Sequence, residues 1–389
     1  MTPSTRLTFY KYLGLHSLLI GIFPFYIPVF LWKQGFNIGD ISFFIAIAGV
    51  GFTVGLWIWD RLRLVLSLNA IIGISLVLEV LLLVNVYVLG MDFSILLALG
   101  LTYGAYNCFY WTTQRALFFD LIDIESSGRK YGNFQIFVGV SLQVGIVIGG
   151  LLLELTNFIY LLIVSTLIAG AGFYLIMHSK PEYPKTLSEH DSLKFSEILK
   201  FNDHEHSRLI FVVDGLFLFA ESFFWLITLF MLAHESFSTL GIIILSLALI
   251  FGILFYLLKN SIDRLGKKRV YIFAVFLYIA SWILRAMVDD AMPLNLMFVY
   301  LVAITFSTTI FRLAMNKRFY DLAKLTRSHD YLVLKSYYTQ ITIIFMFGFF
   351  GFFTYQFESS ETLLAPLYWM SAVLAFAYLL YGSKSHNYS

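Results

Sequence analysis

The chain has 389 residues, 59% of them apolar and 13% charged, with a formal net charge of +2 and a mean hydropathy of +0.81. A water-facing surface needs roughly a quarter of all residues charged, so a soluble globular protein is excluded; the 41 Phe residues suit lipid and helix packing instead. One cysteine, Cys108, leaves no disulfide framework and no cysteine-based zinc site.

A bilayer crossing takes about 20 mostly apolar residues. Such runs are predicted at 7–32, 39–59, 64–89, 93–118, 132–155 and 158–178, then at 208–232, 238–258, 268–287, 293–318, 331–355 and 362–381. The expected fold is therefore an all-α polytopic membrane protein with twelve transmembrane helices in two six-helix bundles related by a pseudo-two-fold repeat. The bundles occupy 1–178 and 208–389. Between them, 179–207 is a polar linker in which 192–201 has the pattern of an amphipathic helix lying under the membrane. The alternating strands of a membrane barrel are absent from the pattern. Span one is followed by no small-residue cleavage site, so it is read as an anchor.

Placing the N-terminus inside puts all of the 26 Lys and Arg residues except Lys33 and Arg285 on the inner side. Both termini are thus expected in the cytoplasm, with the chain in a bacterial plasma (inner) membrane. The halves also repeat at an offset near 200. Asp120 in FFDL matches Asp321 in FYDL, Phe36-Asn37 matches Phe237-Ser238, Asp60-Arg61-Leu62 matches Asp263-Arg264-Leu265, and Tyr131 matches Tyr331. Six-plus-six repeats of this kind build transporters, with the solute path between the halves.

The run Asp263-Arg264-Leu265-Gly266-Lys267-Lys268-Arg269 between spans eight and nine resembles the loop pattern G-x-x-x-D-R-x-G-R/K-R/K of the major facilitator superfamily. Its counterpart after span two, Asp60-Arg61-Leu62-Arg63, is a degraded copy. The resemblance implies a secondary transporter whose spans one, four, seven and ten line a central cavity. It implies a gating latch as well, with Asp60 facing the start of span eleven (331–335) and Asp263 facing the start of span five (129–133). Arg61 and Arg264 would pair with loop carboxylates, and the latch would favour the outward-open state. Asp120 and Arg129, like Asp321 and Arg327, resemble the acidic–basic pairs that follow spans four and ten.

Polar and aromatic stripes at helical spacing run along those four spans. They are Tyr12, His16, Phe23, Tyr26 and Phe30 on span one, and Tyr103, Tyr106, Asn107, Tyr110 and Gln114 on span four. Span seven carries Asp214, Glu221, Trp225 and Thr228; span ten carries Thr305, Thr308, Thr309, Arg312 and Asn316. A rise of 1.5 Å per residue sets Asp214 and Arg312 at one level, as an ion pair. Glu221 then lies deeper with no cation at its level, and His16 is the nearest titratable group of the other half. A lone carboxylate near the midplane is costly unless hydrated, paired or protonated. Glu221 therefore leads as proton-coupling candidate, followed by His16 and Asp214.

Other charges say less. Glu79 has no visible partner, Arg115 lies off the span-four stripe and is read as pairing with a loop acid, and Glu154, Arg285, Asp289 and Asp290 fall near the outer boundary. Gly145-x-x-x-Gly149-Gly150 invites close approach of another helix. No Walker A loop offers a route for ATP, and Asp203-His204-Glu205-His206 reads as a solvated linker face. Neither cofactor, metal nor nucleic acid is expected. The reading is a monomeric, proton-coupled secondary transporter of a small organic solute, with protons and the lipid bilayer as its other partners. An uncoupled facilitator or exchanger on the same fold is the alternative. A polytopic enzyme acting on a lipid-linked substrate is disfavoured by short outer loops and by the repeat.

Overall fold

The computed structural model describes residues 3–88, 93–119, 127–155, 158–179, 187, 191–203, 205–258, 268–289, 291–355 and 360–381. Their regular elements are all helical and follow the predicted order closely. Span one runs from Pro3–Ile22 through a tight turn at Pro24–Tyr26 to Ile27–Lys33. Spans two to six are Ile38–Leu62, Leu68–Val88, Phe93–Phe119, Ser127–Leu155 and Phe158–Met177. Span seven comprises Ser207–Phe219, Ala220–Phe224 and Trp225–Leu232. Spans eight to eleven are Phe237–Leu258, Lys268–Met287, Leu294–Leu325 and Ser328–Thr354, and span twelve is Leu364–Leu374 with Ala375–Leu380. Among the described residues nine helices are long and apolar enough to cross a membrane, and those at Phe237–Ile253 and Leu364–Leu380 are shorter but apolar.

Local chemistry explains the breaks. Pro24 and Pro28 lack the N–H that an unbroken helix needs, so span one tightens at Pro24–Tyr26. Span two starts on a reciprocal cap: Asn37 Oδ1 accepts from the Asp40 N–H, and Asp40 accepts from the Asn37 N–H, both at 3.0 Å. Within span seven, Ala220–Phe224 is one π-helical turn, a local bulge that re-aims side chains. The linker helix is shorter than expected, Phe195–Lys200 in place of 192–201. It is pinned by Ile198, whose carbonyl accepts from Tyr338 of span eleven, while Phe195 and Leu199 stay exposed.

Packing repeats between the halves, as a pseudo-two-fold axis requires. Span one packs on five as seven packs on eleven; two on four as eight on ten; three on four and six as nine on ten and twelve. The halves meet where two lies on eleven and five on eight. Large apolar side chains such as Val54, Leu167, Ile242, Phe273, Phe345 and Phe352 are exposed around the bundle, the surface an integral membrane protein turns to lipid.

Glycines set the closest approaches. A Cβ at Gly104 would sit 2.0 Å from the Ala48 carbonyl oxygen of span two, and one at Gly145 would sit 2.1 Å from the Leu18 carbonyl oxygen of span one. Backbone cannot yield as a side chain can. Gly104→Ala is therefore expected to cost about 1–3 kcal/mol by overpacking, read as a lower unfolding temperature in detergent. Gly170→Ala, where nothing lies within 4 Å, should leave that temperature unchanged or raise it.

Candidate functional site

A cavity of about 610 Å³ lies between the halves. From the N-terminal half it is lined by Ile20, Pro24 and Phe25 of span one, Tyr103, Tyr106, Asn107, Trp111 and Arg115 of span four, and Gln143 of span five. The C-terminal half contributes Asp214, Glu221 and Trp225 of span seven, Thr305 and Thr309 of span ten, and Lys335, Ser336, Thr339 and Gln340 of span eleven. Spans one, four, seven and ten do line it, but the faces differ from those expected. On span four the cavity face includes Trp111 and Arg115, whereas Tyr110 and Gln114 are buried off it. Arg115 is thus a cavity cation; the acids of the loop that follows span four, with which it is read as pairing, lie outside the described residues. On span one the aromatic stripe turns inward. Phe23 packs on Phe30 and Phe158, the Tyr26 hydroxyl donates to the Ile146 carbonyl at 2.7 Å, and that of Tyr12 donates to the Tyr110 carbonyl at 3.3 Å. The bundle uses these rings to pack against its own helices, so the cavity takes the neighbouring face.

In the C-terminal half Arg312 organises the charge. Its Nη1 donates to Asp214 Oδ1 at 2.8 Å, as the common level predicted, and its Nε and Nη2 donate to Glu221 Oε2 at 3.0 and 2.9 Å. Glu221 therefore does have a cation. Counting rise from the helix ends omitted both the reach of an arginine and the π-helical turn in which Glu221 sits. Asp214 is further held by Lys335 Nζ at 3.2 Å and by the Tyr378 hydroxyl at 2.8 Å. Asn316 donates to the Arg312 carbonyl at 2.8 Å, and Thr228 is bonded to the Tyr368 hydroxyl at 2.7 Å; neither lines the cavity. Arg285 is not a rim residue. It is buried, donates to Ser281 Oγ and Thr308 Oγ1 at 2.9 Å, and lies over the Trp282 and Trp225 rings at 4.5 and 5.2 Å. Thr308 is thereby committed to Arg285 and stands off the cavity.

The N-terminal half holds a second buried cluster. His16 Nδ1 lies 3.2 Å from Glu79 Oε2, His16 Nε2 lies 3.0 Å from Ser75 Oγ, and the Tyr106 hydroxyl donates to Glu79 Oε1 at 3.1 Å. Glu79 has partners after all, and His16 belongs to it and not to Glu221. Both are fully enclosed, with Tyr12 and Tyr110 packed on the imidazole at 4.8 and 4.7 Å. Tyr106 lines the cavity and donates its hydroxyl to Glu79.

Side chains cross between the halves at both ends of the bundle. At one end Asp60 Oδ1 accepts from Arg63 Nε at 2.8 Å and contacts His329 Nε2 at 3.0 Å, while Oδ2 accepts from the Leu193 N–H of the linker at 2.9 Å. Asp60 thus meets the first turn of span eleven, just ahead of 331–335, and does so through an imidazole. Arg63, and not Arg61, completes this site, donating also to the Leu187 and Asp191 carbonyls; Arg61 folds back on Trp57. Phe118 and Phe119 of span four meet Phe319 and Tyr320 of span ten nearby. Asp321 takes Lys317 at 2.9 Å and Arg327 takes Asp330 at 3.7 Å, local pairs in place of the expected one. Arg269 is exposed. Asp120, Asp263, Arg264, Gly266 and the Arg129 side chain lie outside the described residues.

At the opposite end Trp32 Nε1 donates to Glu235 Oε1 at 3.2 Å and Lys33 Nζ to the Glu235 carbonyl at 3.3 Å. Tyr355 donates to Asp40, and Glu154 accepts from the Phe237 N–H at 2.9 Å, the rim pairing expected of Glu154.

The residues missed in the sequence are Lys335, with its polar neighbours on span eleven, Gln143, Arg63 and His329. Lys335, Thr339 and Thr342 recur at helical spacing inside an apolar run, which was a readable signal. Nothing in the sequence marked His329 as a partner of Asp60.

Comparison with solved structures places the chain beside several transporters. It matches the nucleoside transporter NupG with a TM-score of 0.65 at 14% identity, covering 97% of this chain and 98% of that one. A variant of the same protein gives 0.67 at 12% identity, with 96% and 99% coverage. A variant of the E.coli fucose:proton symporter FucP gives 0.62 at 15% identity, with 96% and 98% coverage. At these identities the likeness shows the fold. Comparison with curated protein sequences gives no match. The family model described as Major Facilitator Superfamily matches residues 12–329. With most of the chain matched and the twelve-helix, two-bundle fold in place, the protein belongs to the Major Facilitator Superfamily and is a membrane transporter, not an enzyme.

Proposed function

We propose that this protein is a monomeric, proton-coupled secondary transporter that carries a small organic solute through the central cavity by alternating access. The halves 1–178 and 208–389 would be the two rocking bodies, joined by the 179–207 linker. The cavity carries this reading: both repeat-related bundles line it, and side chains of the two halves meet at each end of the molecule. A rocking mechanism needs a central site with a gate on either side. NupG and FucP, a nucleoside transporter and a fucose:proton symporter, are consistent with it. The Lys and Arg distribution supports a cytoplasmic position for the Asp60 end and both termini, with a bacterial plasma membrane as the proposed location.

The coupling proton belongs on the His16–Glu79 pair. Glu221 and Asp214 both hold Arg312, and Asp214 holds Lys335 too, so neutralising either acid leaves two cations with one carboxylate between them in the membrane interior. Protonating the enclosed His16–Glu79 pair strands no third group, and Tyr106 links it to the cavity.

The test is purified protein screened for thermal stabilisation by a metabolite panel at acidic and neutral pH, followed by proteoliposome uptake of whatever binds. Accumulation that requires a proton gradient is the expected result. Gradient-independent equilibration would make the protein a facilitator, and binding without any exchange would overturn transport. The Asp60 site makes a separate prediction. Asp60→Asn removes the charge that holds Arg63, His329 and the linker, so a cysteine placed at Asn107 should be alkylated faster from the cytoplasmic side. Equal rates would show that this contact does not hold the gate.

A further inference from the structure

Building on the transporter reading, we propose that the solute is an organic anion whose charged group is received jointly by Arg115 of the N-terminal half and Lys335 of the C-terminal half. Arg115 lines the cavity about one turn from the end of span four, without a carboxylate partner among the described residues. Lys335 lines it from span eleven and is shared with Asp214. The two cations line the same cavity from opposite halves, and both stand towards the Asp60 end.

The balance of charge points the same way. Among the described groups that line or back the cavity, Arg115, Lys335, Arg312 and Arg285 outnumber Asp214, Glu221 and the Glu79 behind Tyr106. Among these groups positive charge is in excess, in the interior of a membrane protein where uncompensated charge is expensive. A carboxylate or phosphate between Arg115 and Lys335 offsets it. The rest of the lining suits an apolar or aromatic body, since Tyr103, Trp111, Phe219 and Trp225 present their rings there.

The placement also ties the solute's charge to movement. Like charges on opposite halves repel, and an anion bridging them converts that repulsion into attraction across the gate. Closure at the Asp60 end then depends on the anionic group, so neutral analogues are rejected even when their bodies fit.

The experiment measures thermal unfolding of the purified full chain with matched probes: benzoate against benzamide, phenylacetate against phenylacetamide, and phenyl phosphate against benzyl alcohol, followed by a wider set of metabolite anions with their neutral amides or esters. Anionic members should stabilise and their neutral partners should not, carboxylates and phosphates being scored separately. Arg115→Gln should weaken the effective anion by roughly tenfold or more, the cost of losing one charged hydrogen-bond partner, while Arg115→Lys retains most of it. Monodisperse elution of each variant checks folding. Stabilisation by neutral probes, by no anion at all, or by anions equally in Arg115→Gln overturns the proposal. Counterflow of the stabilising probe in proteoliposomes separates the two readings. A neutral compound that exchanges refutes the anion assignment and keeps the transporter; an anion bound through Arg115 but never exchanged does the reverse.

Discussion

Arg312→Gln is expected to be among the most damaging single changes in the chain, lowering stability by about 3–5 kcal/mol and abolishing transport. The guanidinium satisfies Asp214 and Glu221 together. Without it Glu221 loses both of its charge-assisted bonds, and Asp214 keeps only Lys335 and the Tyr378 hydroxyl. The loss should fall at the lower end of that range, because Glu221 lines the cavity and both side chains are part-exposed, 23% for Arg312 and 17% for Glu221. Glu221→Gln/Arg312→Gln should recover a clear part of the unfolding temperature, since no carboxylate is then left stranded. Asp214→Asn/Arg312→Gln should recover less, because it strands Glu221 and releases Lys335 from its partner. Equal unfolding temperatures for the single and both double variants would show that the network does not act as a unit.

Glu79→Gln should separate coupling from movement. A gradient of one pH unit supplies about 1.36 kcal/mol per proton, enough for a roughly tenfold concentration ratio at one proton per solute. The native protein should approach that ratio in proteoliposomes, whereas Glu79→Gln should equilibrate its solute without accumulating it. Counterflow should persist, because solute exchange needs the cavity and not the proton. Glu79 is buried against His16 and Tyr106, with Ser75, Tyr12 and Tyr110 around the imidazole, and glutamine keeps the shape and a hydrogen-bonding carbonyl there. A loss of counterflow as well would mean a packing defect. Undiminished gradient-driven uptake would remove the proton from this pair.

The architecture was legible because its signals are long and redundant. A twenty-residue apolar run leaves little choice of structure in lipid, and span nine was read to the residue while most others were within a few. Levels along a single half were also readable, as the Asp214–Arg312 pair shows. Orientation about the helix axis was not. Neighbouring residues point 100° apart, so choosing Tyr110 over Trp111, or Tyr26 over Phe25, moved a face from the cavity into the bundle. Partners on different spans escaped for a related reason. Glu79 and His16 lie far apart in sequence, and only the side-chain contacts between spans one and three, with span three packed on span four, bring them together. The Asp60 site was half visible: the acidic residue and the target span were read correctly, while the roles of Arg63 and His329 depended on how the linker folds back.

Alternating access requires one site that opens to each side of the membrane in turn. Single cysteines at Asn107 and Thr305, one cavity position in each half, in a Cys108→Ala background, test this without knowledge of the solute. Each is reacted with a membrane-impermeant maleimide in right-side-out and in inverted vesicles. Labelling of both positions from either side, with the cytoplasmic rate raised by Asp60→Asn, is the predicted result. Labelling from one side only, unchanged by that substitution, would contradict alternating access through this cavity.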